Sequence, residues 1–124
     1  MSSNKERLMG LVHGHTHDNR ERLRSINIHT YFIKEDFKED LKPDVLDHLE
    51  LIKLNVERLS KELDLRNEAL RDILNKCLDG DAFVGDKEEM IKIINNYSSE
   101  VDETKKSYDT KISQIEIIKR IGKG

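Results

Sequence analysis

Three histidines alternate in His13-Gly14-His15-Thr16-His17, and Asp18 follows them directly. On an extended segment, imidazoles at alternate positions stand on one side of the chain, where they can ligate zinc, nickel or iron. His13, His15 and His17 are therefore the candidate metal ligands, and a transition metal is the one cofactor the sequence suggests. Close by, Arg20, Arg22 and Arg24 join Tyr31, Phe32 and Lys34 in a mixture of cations and aromatics. Nucleic-acid binders use such mixtures, so a nucleic-acid-binding regulator is one alternative reading and a metal-assisted assembly protein another. No glycine-rich phosphate loop, nucleophile elbow or Ser-His-Asp order can be assembled from the remaining residues, and the expectation is a protein that is not an enzyme.

Brief matches to known motifs do not change that expectation. Gly14-His15-Thr16-His17 resembles the last metal-binding motif of calcineurin-like metallophosphoesterases. The aspartate, asparagine and histidine motifs that come before it in that family do not precede it here. The paired histidines also resemble those of some trimeric phage fibres, a resemblance that implies an iron shared between chains. Asp79-Gly80-Asp81 starts like a calcium loop, but Val84 stands at the sixth position instead of glycine and Met90 at the twelfth instead of glutamate. These residues read better as a turn that ends a helix.

The element that must position everything else runs from Val45 to Cys77. Val45, Leu49, Ile52, Val56, Leu59, Leu63, Arg66, Leu70, Ile73 and Cys77 alternate spacings of four and three, a heptad seam with one charged interruption. Met90, Ile94, Tyr97, Val101, Thr104, Tyr108, Ile112, Ile115 and Ile118 repeat the pattern more loosely. Pro43 and Asp44 suit the start of the first helix, Asp79-Gly80 its end, and Asp86 the start of the second. The spacing predicts helices over about 44–78 and 87–121, folded into an antiparallel coiled-coil hairpin. About the loop, Ile73 falls opposite Ile94, Leu70 opposite Tyr97, Leu59 opposite Tyr108, and Leu49 opposite Ile118. Arg66 then lies near Glu100, Asp102 and Glu103, which makes it a register pin.

Residues 1–42 form an N-terminal arm, ahead of the hairpin at 43–124. Ile26, Ile28, Thr30 and Phe32 alternate with Asn27, His29 and Tyr31, the period of a short strand, with a helix as its competitor. The expected fold is thus mainly all-α, with a small mildly basic arm. Leu51, Leu54 and Leu65 lie off the heptad line, and Phe83 with Val84 marks the hairpin tip. These five are the candidate protein contacts, since a two-helix hairpin alone would leave them wet.

Composition narrows the function classes. Charged residues make up 38% of the 124, aromatics 5%, and the net charge is -3, so bulk charge draws the chain to neither nucleic acid nor anionic lipid. The arm to Lys34 has six basic against three acidic residues, whereas the rest is acidic. A lone cysteine, Cys77, fits a reducing compartment, and no apolar run approaches a membrane span. The reading that follows is a cytoplasmic, non-enzymatic adaptor, scaffold or inhibitor that binds a protein partner. It would act as a homo-oligomer, most simply a dimer, in the manner of a small bacterial or phage accessory or virion-assembly protein.

Overall fold

One helix carries the other two. The computed structural model describes residues 3–123, with side chains as far as Glu116. In chain order come α1 (Asn4–Asp36), α2 (Pro43–Cys77), β1 (Leu78–Asp79), β2 (Ala82–Phe83) and α3 (Lys87–Lys123). The fold is mainly all-α, as the sequence predicts. α1 and α3 each pack along α2 and scarcely touch one another, so the helices form a layer with α2 in the middle.

The arm departs most from the sequence reading. Residues 26–32 are not a strand; they belong to α1, one continuous helix of 33 residues. Ser3 opens it by accepting from the Glu6 N–H at 3.2 Å. Apart from Lys5 and Gly14, the residues of α1 that are wholly or partly buried are Met9, Val12, Thr16, Asn19, Leu23, Asn27 and Thr30, at spacings of three and four. This is a helical seam, but a polar one. Thr16 Oγ1 donates to Asn67 Oδ1 at 3.0 Å, and Arg20 Nε donates to Asp64 Oδ1 at 2.9 Å. Residue numbers fall on α2 as they rise on α1, so the pair is antiparallel.

The link from α2 to α3 is a small hairpin rather than a plain helix-ending turn. α2 stops at Cys77, and the chain passes straight into β1, which pairs antiparallel with β2. Gly80 adopts φ +62°, while no residue other than glycine has a positive φ among those described. That combination, glycine first and Asp81 second in a two-residue loop, is what a II′ hairpin turn requires. Asp86 then caps α3 as expected, its Oδ1 accepting from the Glu88 N–H at 3.1 Å. Gly85 lies so close to Cys77 that a β-carbon there would stand 2.7 Å from the cysteine Cβ and Sγ. This contact seals Cys77, which is only 2% exposed.

The turn also holds α1. The Asn4 N–H donates to Asp81 Oδ1 at 2.6 Å, and the Lys5 N–H donates to the Gly80 carbonyl at 3.0 Å. Two otherwise orphaned donors at the start of α1 are thereby satisfied, and the carboxylate opposes the positive end of the helix. Sequence position gives no hint of this contact, since the partners lie 77 residues apart.

Candidate functional site

α2 has two neighbours, so its apolar residues divide among three directions. Leu49, Val56 and Leu63 recur every seven residues and are buried. They share their side of α2 with Asn67 and Asp64, the partners of α1. Leu54 and Leu65 lie eleven residues apart, about three turns, and so share another stripe. Leu65 lines grooves with Ile93, Tyr97 and Thr104 of α3. On the same flank Arg58 Nη1 lies 3.5 Å from Asp109, and Lys76 Nζ lies 3.1 Å from Glu89. These pairs set α2 and α3 in the axial register expected from the loop, but rotated: α3 packs on the off-heptad leucines, not on the heptad seam. The expected pairing of Leu49 with Ile118 involves a side chain outside the described residues.

What α3 does not cover is the third stripe. Val45, Ile52 and Leu59 are exposed, and Arg66 continues their seven-residue spacing. Leu59, at 51% exposure, sits in an open groove with His15, Asn19, Arg22 and Leu23 of α1, and Tyr97 of α3. That groove fixes which sides of the outer helices adjoin the stripe. On α1, Leu8, His15, Arg22, Ile26 and Ile33 follow at helical spacings, and Leu8, Ile26 and Ile33 are exposed. On α3, Ile94 and Val101 share the side of Tyr97, with Ile94 exposed. The exposed apolar residues of this face fall in two groups, Val45, Ile52 and Leu59 with Ile26 and Ile33 at one end and Leu8 with Ile94 near the hairpin, separated by His15, Arg22 and Arg66.

The residues singled out from sequence are redistributed. Leu54 is 7% exposed and Leu51 and Leu65 are half-buried, so all three take part in the packing of the chain, with Leu51 and Leu65 still partly open to solvent. Phe83 and Val84 do project from the hairpin tip, at 65% and 59% exposure. Arg66 is not a pin against α3: its Nη2 approaches His15 Nδ1 of α1 at 3.4 Å. Because α1 is a helix, His15 points about 200° away from His13 and His17. The three imidazoles do not gather, and no cluster of three metal-ligating side chains exists among the described residues. The arginines scatter for the same reason. Arg20 pairs with Asp64 and Arg24 with Glu21, while Arg22 turns to the apolar groove.

The exposed stripe Val45–Ile52–Leu59 was visible in the sequence only as half of the heptad seam; nothing in one chain's spacing says which half a neighbour leaves open. No described helix is long and apolar enough to cross a membrane. Comparison with protein-family models, curated proteins and solved structures finds no match to this chain.

Proposed function

We propose that the protein is a non-enzymatic helical scaffold that pairs with a second copy of itself through the exposed apolar stripe of α2. The observation that carries this reading is the open stripe Val45, Ile52 and Leu59, flanked by Ile26 and Ile33 of α1. Area supports it. The chain exposes 9168 Å², against about 6,900 Å² for a compact monomer of this mass. The excess, about 2,300 Å², is larger than the ~800 Å² per partner that a standard stable interface buries. A seven-residue repeat on the central helix also suits a two-fold contact, in which one patch must complement itself. With the copies paired, Phe83 and Val84 at the tip stay exposed, as do Ile28, Tyr31 and Phe32 on the far side of α1, which keeps the adaptor role open to the assembled form.

The test is mass by light scattering, on the wild-type chain and on Leu59→Glu. The wild type is expected as a dimer. Leu59→Glu is expected to run as a monomer with its helical circular dichroism intact, because a side chain half in water tolerates a charge. A wild-type monomer at high concentration would sink the reading.

A further inference from the structure

The geometry points to a second site, for a transition-metal ion, held by His13 and His17 on the outer side of α1. The two residues are four apart on a helix, so their side chains leave the same face on successive turns. Their ring centroids lie 6.5 Å apart, with the planes within 15° of parallel. Both are exposed, and among the described residues neither ring has a hydrogen-bond or ionic partner. His15, by contrast, lies beside the Arg66 guanidinium, a neighbour that opposes a cation. Two rings with free nitrogens, and a third excluded, make a bidentate imidazole site.

Both nitrogens must come within about 2.0–2.1 Å of a bound zinc ion, so the rings have to converge from their present separation. Rotation about exposed side-chain bonds achieves that without breaking a packed contact. Histidines at this helical spacing are also the pair that grips zinc in helical metal motifs. Glu21 stands one turn further along the same face, its carboxylate now accepting from Arg24 Nη1 at 3.0 Å. That ion pair keeps Glu21 out of the site, so the two imidazoles are its protein ligands and water fills the other positions. Imidazole donors select copper, nickel and zinc over magnesium and calcium, which require oxygen. The site lies on the side of α1 shared with Arg20 and Arg24, away from the stripe through Leu59, so pairing of two copies through that stripe leaves it accessible. An ion bridging two turns would also clamp the part of α1 that Gly10 and Gly14 weaken.

The experiment is titration of the tag-free chain with nickel chloride by calorimetry, with thermal melts run in parallel with and without chelator. One ion per chain is expected, with a melting temperature that rises on binding. His13→Ala and His17→Ala should each weaken binding at least about tenfold, and His15→Ala less than about twofold. The double variant His17→Ala/Arg22→His keeps the histidine count but moves the second ligand to the wrong face, and it too should lose the ion. Absence of saturable binding in the wild type overturns the site. So does a loss in His15→Ala equal to that in His17→Ala, or wild-type affinity in the spacing variant. Circular dichroism of each variant separates loss of a ligand from loss of the helix.

Discussion

Asn27 illustrates how a single side chain limits the packing of α1. Its Oδ1 is buried without a hydrogen-bond partner, in a helix whose inward residues are half polar. An unsatisfied buried acceptor costs about 1–3 kcal/mol. The neighbouring cavity, lined by Thr30, Tyr31, Lys34 and Leu49, has room for a branched apolar side chain. Asn27→Leu is therefore expected to raise stability by roughly 1 kcal/mol or more, read as a higher urea midpoint at unchanged slope. A lower midpoint would mean that the amide is bonded in solution. Thr16 is the opposite case: it is buried at 5% exposure, but its hydroxyl is satisfied by Asn67.

At the scale of elements, the contact that decides the fate of α1 is the one between its first turn and the hairpin tip. The exposed ion pairs along α1, such as Arg24 with Glu21, contribute at most about 1 kcal/mol each. The Asp81 carboxylate acts differently, because it caps a helix end that has a polar seam and few buried apolar residues behind it. Asp81→Ala should cost about 0.5–2 kcal/mol, in the range of a lost helix cap. The loss should be local. Amide hydrogen exchange is expected to speed up over residues 4–8 and to leave the middle of α2 unaltered. Uniform exchange along α1 in the wild type and the variant would show that the cap does not hold the helix.

At the scale of the whole molecule, one fact outweighs the others: among the described residues six apolar side chains are buried, while many large apolar residues stay wet. Under the proposed pairing, a chain of 14.5 kDa with so thin a core draws part of its stability from association. The melting temperature should therefore rise with protein concentration in the wild type. In Leu59→Glu it should be lower and independent of concentration, since the monomer is then the only species. A wild-type melting temperature that stays constant over a hundredfold range would argue that a single copy is self-sufficient. Leu63, at 7% exposure and four residues from Leu59, is the control: its replacement by alanine should cost about 2–5 kcal/mol whatever the association state.

The sequence by itself determined that α2 and α3 are long helices, that a short link joins them antiparallel, and that Asp86 starts the second. Those features follow from local rules: heptad spacing, capping chemistry and loop length act within a few residues of where they are written. Only the tertiary structure decided that the arm is a helix. On its inward side Thr16, Asn19, Asn27 and Thr30 interrupt Met9, Val12 and Leu23, so the period of three and four carries only a broken apolar signal, while Ile26, Ile28 and Phe32 imitate a strand. That misreading also misplaced the histidines and Arg66, because an extended arm gathers His13, His15 and His17, whereas a helix splits them. The tertiary structure likewise chose which stripe of α2 each neighbour covers. A seam can be read from one chain, but its partner cannot, because burial is a property of two surfaces and one sequence spells out only its own.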